Sequence, residues 1–277
     1  MEFGFIMLVI VLLVYYEKYC ASSLLEIKKI AQKTSDNCKI ILVNNNPSEI
    51  FEDDFTDVIY LKGDNSNYEF SGWDVALKYI RRNYNAEENL SVIFANDTFC
   101  FHRKWFYLKR ISFIFLFKDF IKRNRRGIGG EVNSICQSYY INDQINLGWV
   151  STYLFILSGD IVLDEKFYLN NINSYWDKFI LKVDNDNIYF KTEFDENLGL
   201  HLNKWLFPKK NEKGWYNSSS INIEKKIKKL ESILNEKILS SNVIRMNAFI
   251  YDVNNYGYFK FYNFLKKIVN KISFFKK

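Results

Sequence analysis

The sequence predicts an α/β fold with a mostly parallel, twisted sheet flanked by helices. Three observations carry that expectation. Strand-like and helix-like stretches alternate through the first hundred residues, with enough chain between strands for helical crossovers. The first strand-like run is apolar throughout, as befits a strand covered on both faces. The chain has 277 residues, 48% of them hydrophobic, enough to fill the core of one large domain or two small ones.

Phe5–Tyr15 is a continuous run rich in Ile, Val and Tyr and reads as the first buried strand. Ser23 and Glu26 have capping-box spacing, and Leu24, Ile27, Ile30 and Ala31 then share one helical face. Lys39–Val43 reads as the second strand and runs into Asn44-Asn45-Asn46-Pro47. Val58–Leu61 is the third, followed by the turn-rich stretch Gly63–Asn67. Trp73–Arg82 predicts a helix, and Leu90–Ala95 a fourth strand. In doubly wound sheets ligands bind beyond the carboxyl ends of the strands. That places Tyr16, Asn44–Asn46, Gly63–Asn67, Asn96 and Asp97 along one crevice.

Farther along, Gly148–Val162 predicts a core strand, and Ile188–Leu206 an acidic cluster followed by a helix through Leu198, Leu202 and Leu206. Ile223–Leu239 reads as a charged amphipathic helix that covers the core. Asn124–Gly130 and Lys209–Ser220 are the candidate linkers. The expected organisation is one domain over 1–257, with a nucleotide half (1–100), an acceptor half (128–257), and a tail from 258.

Four well-separated cysteines and two histidines make a zinc site or a disulfide framework a poor expectation, and a reducing cytosol the default. The apolar run Phe3–Tyr16 has 14 residues. A bilayer span needs roughly 18, and no basic residue precedes the run as in a signal peptide. A buried strand is the preferred reading.

The formal net charge of +6 conceals an uneven distribution. Residues 101–126 hold nine basic residues against Asp119 alone, and residues 258–277 add six lysines and no acid. The rest of the chain is therefore acidic. Both basic segments also carry Phe, Trp or Tyr, a composition suited to an anionic headgroup interface. The alternatives are a solvated helix face with a frayed tail, or nucleic-acid binding. No nucleic-acid-reading motif accompanies the charge, so no nucleic-acid partner is expected.

The order of IILVNNNPS at 40–48, NSNYEFSGWDVAL at 65–77 and VIFANDTF at 92–99 resembles inverting, family-2-like glycosyltransferases of the GT-A (Rossmann-like) fold. The Asn-Asp-Thr version of the last motif is similar to the rhamnan-synthesis branch of bacterial surface-polysaccharide transferases. The resemblance covers roughly residues 5–100, and 145–206 more loosely. It implies transfer of a sugar from a nucleotide-sugar donor to a growing surface glycan or lipid-linked acceptor, at the cytoplasmic face of a membrane.

Carried over by position, it puts Asn44, Asn65 and Asp74 around the nucleotide, with Asn44 where the family has a base-contacting Asp, and the crevice edge adds Tyr16, Asn45 and Asp64 as nucleotide-binding candidates. Asn96, Asp97 and Thr98 fall on the metal-binding motif, where only Asp97 keeps a carboxylate. It implies Mg²⁺ or Mn²⁺ on Asp97 and Asn96, with His201 as a further ligand, to stabilise the departing diphosphate. Basic residues of 101–126 are the metal-free alternative. The resemblance places the base that deprotonates the acceptor in TEFDENLGLHL at 192–202, in the order Glu196, Asp195, Glu193. Competing readings are a non-catalytic scaffold that keeps the fold and, more distantly, a nucleotidyltransferase.

Overall fold

The structure, a computed structural model, describes residues 6–46, 57–85, 89–101, 104–184, 186–209, 214–215, 222–258 and 260–262. Strand β1 (Ile6–Val14) leads through helix α1 (Glu17–Thr34) into β2 (Cys38–Asn44) and β3 (Val58–Lys62). Helix α2 (Tyr68–Asn83), β4 (Asn89–Asn96), α3 (Tyr107–Lys122) and β5 (Gly127–Asn133) follow. Then come the hairpin β6 (Tyr139–Ile141) and β7 (Gln144–Asn146), β8 (Trp149–Ser158), α4 (Gly159–Leu163) and α5 (Ile172–Phe179). A second hairpin, β9 (Ile180–Val183) and β10 (Ile188–Phe190), precedes α6 (Glu196–Leu206), α7 (Ile223–Arg245) and β11 (Phe249–Asp252).

The seven-stranded sheet has the order β11-β5-β8-β4-β1-β2-β3. All its pairings are parallel except the two that β8 makes, antiparallel to β4 and to β5. The predicted fold class is therefore the observed one. β1 sits mid-sheet between β2 and β4, and Leu8–Leu12 and Val14 show no exposed surface. One core packs α1 and α3 against the sheet, and another packs α2 and part of α7 against its opposite face. A third joins α5, α6 and α7 to the two hairpins.

Several local expectations differ from the structure. The Ser23–Glu26 pair does not start α1, which begins at Glu17. Ser23 Oγ instead donates to the Cys20 carbonyl. Glu26 is buried and accepts from Arg110 Nη1 at 2.8 Å and Trp105 Nε1 at 2.8 Å. Helix α2 starts at Tyr68 rather than Trp73, and Gly159–Val162 leaves the strand for the short α4. Asn124–Gly130 is not a linker, since it runs into the sheet strand β5. Gly127 has φ +142° and its α-carbon faces the Phe249 backbone, so a β-carbon there would meet the Phe249 carbonyl oxygen.

The basic segment 101–126 contains α3, whose Phe113, Phe117 and Phe120 point into the core. Among the described residues, five of its basic residues are ion-paired: Lys109 with Glu131, Arg110 with Glu26, Arg123 and Arg125 with Asp119, and Arg126 with Asp160. Much of the charge counted from sequence thus stays within the fold. Phe101, Phe106, Tyr107, Leu108 and Phe115 remain exposed on that side. Of the tail only Tyr258 and residues 260–262 are described, and the other residues of 258–277 lie outside the described ones. So does most of the other candidate linker, in 210–213 and 216–220. Among the described residues no helix is long and apolar enough to cross a membrane.

Candidate functional site: a polar cleft at the carboxyl edge of the sheet

The carboxyl ends of β1, β2 and β4 meet in register, and hydrogen bonds continue past the strand ends. Asp97 N–H donates to the Leu13 carbonyl, Asn45 N–H to that of Val14, and Gly63 N–H to that of Asn44. This stitching brings four loops together around a cavity of about 380 Å³. Tyr15, Tyr16, Asn45, Asn65, Tyr68, Glu69, Asn96, Asp97 and Thr98 line it, and Lys225 of α7 reaches it from the other side.

Several of the polar groups are held by definite partners. Asp97 is 2% exposed, and its Oδ2 accepts from the backbone N–H of Tyr15 at 2.8 Å and of Tyr16 at 2.6 Å. Asp97 therefore fixes the turn that presents Tyr16, whose side chain is exposed. Asn45 Nδ2 donates to Asn65 Oδ1 at 3.1 Å and to the Tyr68 carbonyl at 2.7 Å, while its Oδ1 accepts from Asn65 N–H at 3.0 Å. Gly63 and Gly72 leave room for that amide, since a β-carbon on either would come within 2.3 Å or 2.9 Å of Asn45 Oδ1. Thr98 Oγ1 donates to Asn96 Oδ1 at 3.0 Å.

Other sequence candidates sit elsewhere. Asn44 is buried and donates to the Tyr60 hydroxyl, so Asn45, not Asn44, faces the cavity. Asp64 is exposed and caps its own turn by accepting from Ser66, which holds its carboxyl below the usual range. Asp74 accepts from Leu169 and Asn170 N–H, pinning the 164–171 loop to α2, and burial pushes its carboxyl up to about 6. Asp195 is the N-cap of α6, accepting from Leu198 N–H and also from Tyr140 N–H. Glu193 and Glu196 are exposed, and neither lines the cavity holding Asp97.

His201 lines a second cavity, of about 370 Å³, together with Trp149, Trp205, Lys229, Glu236 and Lys237. Burial pushes its imidazole down to about 4, with Lys237 adding to the fall, so the ring is neutral near pH 7. Asp97 and His201 are therefore not brought together on one cavity wall. Among the described residues no group of three His, Cys, Asp or Glu gathers to hold a metal ion. Asp97 is the one carboxylate of the expected set, and one of its oxygens already serves two backbone amides. Divalent cations are held by several oxygen ligands. The side chains present do not make such a set.

The carboxylate that sequence reasoning missed is Glu69, in the first turn of α2. Burial raises its pKa; Lys229 opposes the rise, the charge on Glu236 adds to it, and a hydrogen bond from Ser232 opposes it. Glu69 lines the first cavity, and α7 borders both, with Lys225 lining the first and Lys229, one turn on, lining the second. Reading α2 as starting at Trp73 had left Glu69 in a loop. Lys237 carries a sequence signal of its own, because it lies on the apolar stripe Leu230, Leu234, Ile238 of α7.

No family model matches this chain, and no curated protein matches it. Among solved structures it is similar to the crystal structure of 4-diphosphocytidyl-2C-methyl-D-erythritol synthase. The TM-score is 0.38 with 13% identity, over 58% of this chain and 81% of that one. A likeness of that size identifies no function.

Proposed function

We propose that the protein is a nucleotide-sugar-dependent glycosyltransferase that moves a sugar onto a glycan by direct displacement. The observation that carries this reading is the convergence of Tyr16, Asn45, Asn65, Asn96 and Asp97 on one cavity beyond the parallel strand ends. Asn45, Asn65, Asn96 and Asp97 come from the three segments whose order resembles the transferase family, and Tyr16 follows the apolar first strand. Asn65 offers its amide N–H group and Asn45 the second lone pair of its Oδ1 to a base or ribose, and Tyr16 an aromatic face. Lys225 supplies positive charge on the cavity wall for a diphosphate.

In this mechanism the site acts through its own residues. Asp97 acts as the fixed acceptor that shapes the Tyr15–Tyr16 turn, and no step is assigned to a cation on it. Glu69 serves as the base that takes the acceptor hydroxyl proton, in preference to the exposed Glu196, Asp195 and Glu193. A base with its pKa raised toward the working pH accepts a proton more readily than an ordinary carboxylate. As that proton leaves, the acceptor oxygen attacks C1 and the nucleoside diphosphate departs.

The test is a thermal-shift panel of UDP-, GDP-, dTDP- and CMP-linked sugars, with EDTA and with Mn²⁺. One donor is expected to raise the melting temperature, equally with either addition. A flat response to the whole panel sinks the donor-site reading. A shift that vanishes in EDTA sinks the metal-free version of it.

A further inference from the structure

The second cavity is built differently from the first. Lys237 is 1% exposed, and its ammonium lies 3.7 Å from the centre of the Trp149 ring. Among the described residues it makes no ion pair within 4 Å. Its neighbour Glu236 is engaged elsewhere, accepting from Trp149 Nε1 and from the Thr152 hydroxyl at 3.1 Å. Burial pushes the Lys237 amine down to about 8, Glu236 opposing the fall and Lys229 adding to it.

A cation removed from water without an anion is costly, and buried charges are as a rule paired. The partner has room in the cavity of about 370 Å³ that Lys237 lines from its buried position. Ligand cavities span roughly 300–1,000 Å³ and combine aromatic walls with a few convergent polar groups. Here the walls are Trp149 and Trp205, and the polar groups are Lys229, Lys237, Glu236 and the neutral His201. The Glu236 carboxylate on the same wall favours a monoanion over a dianionic phosphate, since like charge repels in proportion to its size.

We propose that this cavity binds a carboxylate-bearing sugar of the acceptor glycan, its carboxylate seated against Lys237 and Lys229 and its ring against Trp205. The inference rests on the transferase reading, because the ligand is taken to be a sugar from the proposed donor cavity along the same helix, α7. It names the acceptor as an acidic glycan.

The experiment is titration calorimetry of the full chain with disaccharides containing glucuronate or N-acetylneuraminate, against their neutral counterparts. Lys237→Met is run alongside, and donor binding is measured on the same samples. At least tenfold tighter binding of one acidic disaccharide is expected, together with loss of that preference in Lys237→Met. The variant should unfold at the same denaturant concentration as wild type or a higher one, because a buried unpaired charge has been replaced by an apolar chain. Equal binding of acidic and neutral sugars, or an unchanged preference in the variant, overturns the proposal. Should the variant not fold, the His201 ring resonances of wild type decide. They shift with the acidic disaccharide if the proposal holds and stay fixed if it fails. Donor binding without acidic-sugar preference overturns this inference alone, whereas absence of both overturns the transferase reading as well.

Discussion

Asp97→Asn is expected to bind the nucleotide-sugar donor within a few-fold of wild type, whereas Asp97→Ala loses about 100-fold in affinity, on the order of 2.7 kcal/mol. The difference follows from what the carboxylate does. Its Oδ2 receives two backbone N–H groups, from Tyr15 and Tyr16, at the end of β1. An asparagine oxygen in the same place can accept both. An alanine leaves two amides without an acceptor in a buried setting, which costs roughly 1–3 kcal/mol apiece and lets the turn relax. Tyr16 then no longer faces the cavity with Asn45 and Asn65. A metal ligand would behave otherwise, because the neutral amide would be nearly as damaging as alanine. Donor titrations of the two variants check this, and equal losses would refute the anchoring role.

Glu69→Gln is expected to lower kcat by about 10² to 10⁴, the usual span for a general base, while leaving donor affinity nearly intact. Its shape and hydrogen-bond partner Ser232 are retained, so the loss reports the missing proton acceptor. The pH profile gives the sharper signature. The carboxylate must be ionised to act, and burial has raised its pKa above the ordinary glutamate range. Activity of the wild type should therefore rise with pH through a midpoint above that range, and the Glu69→Gln variant should lack that limb. Glu196→Gln, on an exposed helix start, should leave both kcat and the profile unchanged. Pre-steady-state and steady-state rates across pH measure these directly. A silent Glu69→Gln beside an inactive Glu196→Gln would return the base to the acidic start of α6.

The elements that were legible in the sequence are those whose signal is local. The runs that became β1, β2 and β4 are apolar from end to end because both faces of the sheet are covered. Leu198, Leu202 and Leu206 mark the buried face of α6 by period alone. What was not legible depends on partners distant in sequence. Ser23 and Glu26 have the spacing of a cap, yet Glu26 is drawn inward by Arg110 and Trp105 from 79 to 84 residues away. Glycines at 127, 129 and 130 suggest a linker until β11 and β8 are placed against them. The same holds at the site. The ends of β1, β2 and β4 were expected to meet, and their loops do line one cavity. Glu69, Lys225 and the Lys237 cavity appear only when α7 packs across α2 and β8.

The central claim, that the cavity around Asp97 is the donor site, is tested most directly by a crystal structure with a nucleoside diphosphate bound. The account predicts the base or ribose within hydrogen-bond reach of Asn45 or Asn65, the diphosphate toward Lys225, and Asp97 still bonded to the Tyr15 and Tyr16 amides. A nucleotide lodged away from these residues, or held through a cation on Asp97 with those amides released, contradicts it.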